Sequence, residues 1–257
     1  MPARKTSEPE RAALVTGGAQ RIGRAIVLAL AKAGFAVLVH AHRSRADAEA
    51  LCGEITDSGG RAAAVVADLA DADQVARLVP AAAAFGPLTL LVNNASEFER
   101  DELGALDRAR FDRTMAVNLR APLFLAEAFA AQAPDGANAS IVNILDQRVF
   151  KPTPLFVSYT LSKGALFTAT TTLAQALAPK VRVNAVAPGP VLPSPRQSAQ
   201  DFARQAEALP LGKGPTPDDI AAAVLYLAQA PSVTGETIAV DGGQHLAWRT
   251  PDSDVVE

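Results

Sequence analysis

Seven short aliphatic runs, regularly interrupted by stretches of helical period, constrain this chain to one fold class. The runs are 12–16 (AALVT), 36–40 (AVLVH), 62–66 (AAAVV), 88–92 (LTLLV), 140–144 (SIVNI), 181–186 (VRVNAV) and 237–240 (TIAV). They are rich in β-branched and aliphatic residues, which reads as buried parallel strands. Strand and helix alternate throughout, which predicts right-handed crossovers, an α/β doubly wound sheet of seven parallel strands, and a ligand site beyond the strands' carboxyl ends. No composition break divides the chain. The expected organisation is one domain over 12–248 between flexible tails at 1–11 and 249–257.

Composition narrows the partners. The 257 residues carry a formal net charge of -3, with 49% hydrophobic and 20% charged residues, a balance that suits a folded soluble chain and gives no general attraction to nucleic acid or anionic membrane. An anionic ligand must therefore be held locally. The single cysteine, Cys52, excludes an internal disulfide, and three His with one Cys form no zinc-spaced cluster, so no metal is expected and a reducing cytoplasm fits best. The opening MPARKTSEPE has no apolar core of a signal peptide, and no run of 18 apolar residues predicts a membrane span.

The first run leads into Thr16-Gly17-Gly18-Ala19-Gln20-Arg21-Ile22-Gly23 and then into a helical pattern. Glycines let backbone approach a pyrophosphate, and the positive helix end binds its charge. After the second run, a dinucleotide site selective for the 2′-hydroxyl would carry an acid, whereas this chain has His40-Ala41-His42-Arg43-Ser44. Arg43, Ser44, His40 and, from the glycine loop, Arg21 suit a 2′-phosphate, so NADPH/NADP+ is the expected cofactor. The alternative is that Arg43 sits on a solvated turn. Asp68 is either an adenine contact or the cap of the next helix.

Tyr159 and Lys163 lie four apart on a helical pattern, which brings phenol and ammonium to one face. A nearby cation is expected to lower the phenol's pKa toward a useful acid-base range. With these residues in view, the chain resembles the short-chain dehydrogenase/reductase family from Ala12 to about Gly243, in a single-domain Rossmann fold. The matching pieces are the glycine loop, Asn93-Asn94-Ala95, Asn118, Tyr159 with Lys163, Pro188-Gly189 and Asp241-Gly242-Gly243. The resemblance implies that Tyr159 donates a proton, Lys163 lowers its pKa and holds the nicotinamide ribose, and Asn118 supports a relay water. It also implies a cofactor site that includes Gly17, Ile22, Gly23, Leu69, Asn94, Ala95, Ser96, Pro188 and Gly189, and a homo-oligomer, dimer or tetramer.

Two departures look like the pteridine reductases within that family: Arg21 in the loop, and Asp146 where a serine is usual, thirteen residues before the tyrosine. The run His40 to Ser44 and the segment Asn94-Ala95-Ser96-Glu97-Phe98 are similar to that subgroup as well. A flat, electron-poor ring would need an aromatic face and polar rim groups, which Phe98, Ser96 and Asp146 supply by type. Asp146 beside Tyr159 is expected to stay protonated and act as a second donor, or else merely to cap a turn; Phe98 is either a stacking face or ordinary packing. The leading expectation is an NADPH-dependent reductase of a pterin or folate C=N bond. The alternatives are a carbonyl reductase, in which an ionised Asp146 would repel a developing alkoxide, and a non-catalytic NADP(H) sensor, for which Tyr159, Lys163 and Asn118 would be superfluous. The stretch 188–217, with prolines at 188, 190, 193, 195, 210, 215 and 217, reads as a substrate lid over about 190–215. The segment 245–248 is expected to help shape the substrate site.

Overall fold

The computed structural model describes residues 11–194 and 196–248; the expected tails, apart from Arg11, and the lid's Pro195 lie outside them. The strands are β1 (Ala12–Val15), β2 (Ala36–Ala41), β3 (Ala62–Val66), β4 (Leu88–Asn93), β5 (Ala139–Ile144), β6 (Val181–Pro188) and β7 (Thr237–Val240). They form one sheet in the order β3-β2-β1-β4-β5-β6-β7, every neighbouring pair parallel. The chain starts at the centre, runs outward to β3, then returns to β4 on the other side of β1. That reversal opens a crevice between the ends of β1 and β4.

The helices are α1 (Arg21–Lys32), α2 (Arg45–Asp57), α3 (Ala72–Phe85), α4 (Arg108–Met115), α5 (Ala121–Gln132), α6 (Val157–Leu177), α7 (Ala199–Glu207) and α8 (Pro217–Gln229). They cover both faces of the sheet. Ile26 and Leu30 of α1 pack with Val224 and Leu227 of α8 against one face, and Leu78 of α3 with Leu125 and Phe129 of α5 against the other. Each such side chain contributes about 1.5–3 kcal/mol on burial, and together they make the sheet ends a rigid frame for loops.

Three local features differ from the sequence expectation. The lid stretch contains α7, whose N-cap Ser198 accepts from Asp201 N and none of whose residues is buried. The helical run after residue 107 is interrupted by a π-helical turn, Ala116–Arg120, which carries Asn118. Asp71, not Asp68, caps α3, accepting from Asp73 N and Gln74 N. Among the described residues no helix is long and apolar enough to cross a membrane, and no cluster of His, Cys, Asp and Glu is placed to hold a metal.

Candidate active site

The glycine loop is pinned from both neighbouring strands. Gly17 adopts a φ of +60°, and its N–H donates to His40 Nδ1 at 3.0 Å. His40 must then carry its proton on Nε2, which faces Ala67 O at 3.0 Å. From β4, Asn94 Nδ2 donates to Thr16 O and Gly17 O, both at 2.9 Å, while Thr16 Oγ1 accepts from Asn94 N and Ala95 N. Behind the loop, α1 begins with no side chain capping it, which leaves its first N–H groups for a ligand.

These elements line a cavity of about 820 Å³ that runs from Gly17, Ile22 and Gly23 past Ala95 and Ser96 to His42, Arg43, Ser44, Asp68 and Leu69. Arg43 is exposed at its rim. Two expected ribose-phosphate ligands are placed otherwise. His40 is 2% exposed with both ring nitrogens committed, and burial lowers its pKa; it is a strut under the loop. Arg21 turns toward the lid, its Nη2 donating to Leu192 O and Pro193 O at 3.3 and 3.1 Å. Asp68 is held by Arg113 at 3.0 and 3.2 Å, and that hydrogen bonding keeps its carboxyl below the usual range.

A second cavity of about 400 Å³ adjoins the first through Arg21, Ile22, Asn94 and Ser96, and contains Phe98, Asp146, Tyr159, Lys163, Pro188 and Gly189. Tyr159 and Lys163 lie in the first two turns of α6. The helix start is fixed by buried Asp101, whose carboxylate accepts from Ser158 N and from the Ser158 hydroxyl. Tyr159 donates its hydroxyl to Asp146 Oδ2 at 3.0 Å. Asp146 both caps the turn after β5, accepting from Arg148 N at 2.8 Å, and pairs with Arg148 Nη1 at 2.9 Å.

The expected tyrosine–lysine coupling takes a different form. Burial, and then the Asp146 charge, push the Tyr159 phenol well above its ordinary value. Lys163 Nζ donates to Ile144 O at 2.7 Å and lies 5.8 Å from the centroid of the phenol ring. Burial lowers its pKa to about 8. Asp146 accepts three hydrogen bonds, from Arg148 N, Arg148 Nη1 and the Tyr159 hydroxyl, so both its oxygens are engaged where a second proton donor was expected. Asn118 is also fully engaged: Oδ1 accepts from Glu97 N, and Nδ2 donates to Glu97 O and Ser162 Oγ. Its side chain braces the 96–97 segment. Because folded Lys163 releases its proton more readily than an unfolded lysine, the unfolded chain binds more protons between about pH 8 and 10.5, and stability from this group rises over that window. Thermal denaturation of the free protein should show this rise flattened in Lys163→Met; an unchanged profile would count against it.

Phe98 meets Phe156 in a parallel stack, centroids 4.6 Å apart, and meets the Tyr159 ring edge-on at 4.7 Å. Arg148 and Arg196 lie over its ring at 5.5 and 5.6 Å. Stacking and packing therefore both describe it. Arg148, Arg196, Phe156 and Arg113 were not singled out from sequence. Only Arg148, two residues from Asp146, carried a local signal, since a short turn brings such a pair together. Gln244 reaches the second cavity, and His245 pairs with Asp241 at 2.8 Å.

The family model described as short chain dehydrogenase matches residues 11–203. Among solved structures, a FolM alternative dihydrofolate reductase 1 from Brucella suis in complex with NADP is 54% identical, covering 93% of this chain and 97% of that one, with a TM-score of 0.90. Its counterpart from Brucella canis, complexed with NADP, is 52% identical, covering 98% and 99%, with a TM-score of 0.92. An uncharacterized oxidoreductase of Methylorubrum extorquens is 39% identical over 242 residues, 91% of this chain and 97% of its own length.

Proposed function

Because this chain belongs to the short-chain dehydrogenase family, we propose that its cleft reduces a C=N bond of a pterin or folate with NADPH. The observation that carries this reading is the pair of joined cavities: one with a glycine loop and Arg43, the other with Phe98 facing Tyr159 and Asp146. The two Brucella neighbours, named as dihydrofolate reductases and bound to NADP, support it. The loop fits a dinucleotide: a Cβ at Gly23 would stand 2.1 Å from Gly17 O, so only glycine lets the start of α1 pack this closely on the loop, the role of the third glycine in a dinucleotide-binding turn. We assign the 2′-phosphate to Arg43 and Ser44, with His42 beside them, and the pyrophosphate to the loop and the start of α1.

When bound, NADPH supplies the hydride to the ring carbon. Tyr159 then gives its proton to the ring nitrogen; a phenol held neutral by burial is equipped to donate. Asp146 orients the hydroxyl, Arg148 holds Asp146, and the resulting phenolate is offset by the Lys163 ammonium. Ser96, Phe98 and Phe156 shape the ring site. For a ketone the Asp146 charge would oppose the developing alkoxide, which favours the C=N reading. We also propose one catalytic domain working in the cytoplasm as a homo-oligomer, dimer or tetramer, supported by the exposed Phe124 of α5 and Leu161 of α6.

The test is NADPH oxidation with dihydrobiopterin and dihydrofolate beside a panel of ketones; turnover of ketones alone would overturn the pteridine reading. For the cofactor, Arg43→Ala should raise the KM for NADPH by about tenfold to hundredfold, the worth of a charged hydrogen bond, and leave NADH nearly unchanged. Equal losses for both would remove Arg43 from the 2′-phosphate site.

A further inference from the structure

The cavity that would take the dinucleotide has an acid in an unfavourable place. Asp68, just past β3, lines that cavity with His42, Arg43 and Ser44, and its Oδ2 stands 3.7 Å from His42 Nε2. An acid beside the ribose 2′ position selects against a phosphate there, so the charge of Asp68 must be taken up if Arg43 and Ser44 are to hold one. Arg113, in the last turn of α4, does this. Its Nη1 and Nη2 donate to Asp68 Oδ2 and Oδ1 at 3.0 and 3.2 Å, a forked contact that an ammonium would not reproduce. Among the described residues no other Lys or Arg pairs with Asp68.

The guanidinium is itself held from behind. Arg113 Nε donates to Glu97 Oε1 at 2.8 Å, and Glu97 is fixed through its main chain, its N–H donating to Asn118 Oδ1 and its carbonyl accepting from Asn118 Nδ2. Asn118 lies in the π-helical turn that continues α4. One stretch of helix thus supplies both the guanidinium and the residue that holds its brace, and Glu97 keeps the fork turned toward Asp68. All three charged side chains are half-buried, where mobile ions screen them less than at an open surface. Without Arg113, two carboxylates would face a cofactor that is itself an anion. Asp68, which borders His42, would then oppose the one group that distinguishes NADPH from NADH.

We propose that Arg113 is a specificity-determining residue for the cofactor: by neutralising Asp68 it admits the 2′-phosphate that Arg43 and Ser44 bind. This rests on the cofactor site assigned above. The experiment is titration of the protein with NADPH and with NADH, followed by the fluorescence of the bound nicotinamide, at low and high ionic strength. Arg113→Met should lower the preference for NADPH over NADH by about fivefold, the scale of one partly exposed charge interaction, and added salt should recover part of that loss by screening the repulsion. Adding Asp68→Asn to Arg113→Met should restore the preference, since the opposing charge is then gone. A residue that only supported the fold would weaken both cofactors alike, and neither salt nor Asp68→Asn would repair the loss; that result overturns the proposal. Should Arg113→Met fail to fold, Asp68→Asn alone decides. It releases the guanidinium's charge toward the phosphate and should raise the preference by about threefold on the same scale, whereas an unchanged or lower preference overturns the proposal. Arg43→Ala keeps the two readings apart: if it leaves the preference intact, the 2′-phosphate site itself falls and the role of Arg113 with it. If it abolishes the preference while the Arg113 and Asp68 variants leave it unmoved, only the role of Arg113 falls.

Discussion

Tyr159→Phe is expected to lower kcat by roughly 10²–10⁴-fold, the usual contribution of a positioned general acid. The three polar side chains expected to share its work are committed elsewhere. Lys163 is held on Ile144 O, Asn118 has its carboxamide fully bonded, and Asp146 is an acceptor for Arg148 and Tyr159. The substitution removes one oxygen and one hydrogen bond while Asp146 keeps Arg148. Stability should therefore fall by only about 1 kcal/mol, and NADPH affinity, measured by the fluorescence of the bound cofactor, should be preserved. A kcat within tenfold of wild type would show that the proton comes from elsewhere.

Much of the framework was legible because it depends on near-neighbour patterns. The seven aliphatic-rich runs correspond to the seven strands, since strands covered on both faces are dominated by apolar residues, and the glycine loop lies where a strand must turn directly into a helix. The site was legible only as residue types. Nothing local announces that His40 spends both nitrogens on Gly17 and Ala67, because those partners are 23 and 27 residues away in sequence. Arg21 is similar: its carbonyl partners on the lid are more than 170 residues distant. The sign of the tyrosine shift was misjudged for a related reason. Four-residue spacing places Lys163 near the phenol ring, but burial and Asp146 act on the hydroxyl more strongly, and burial is a property of the assembled fold. Helix α7 stands in a proline-rich stretch and buries none of its residues, so its regular apolar stripe does not mark it as an element of the core.

Gly23→Ala should abolish useful cofactor binding, with NADPH affinity reduced by about hundredfold or more, well above the tenfold that each 1.4 kcal/mol represents. The added methyl would lie 2.1 Å from Gly17 O and 2.7 Å from Asn94 Nδ2. Neither atom is free to retreat: Asn94 Nδ2 ties Thr16 O and Gly17 O, and Gly17 N–H is fixed to His40. Relief must come from moving the loop away from α1, which displaces the N–H groups meant for the pyrophosphate, and overpacking of this kind costs about 1–3 kcal/mol in stability as well. Gly53 supplies the control. It lies within α2, where a Cβ would meet nothing within 4 Å, so Gly53→Ala should stabilise the protein by about 0.5–1 kcal/mol through helix propensity and leave NADPH binding untouched. Titration of both variants with NADPH, alongside thermal denaturation, separates the two effects. Should Gly23→Ala bind NADPH as wild type does, the phosphates lie elsewhere in the cleft, and the contact between bare backbone at Gly23 and Gly17 serves only the packing of α1 against β1.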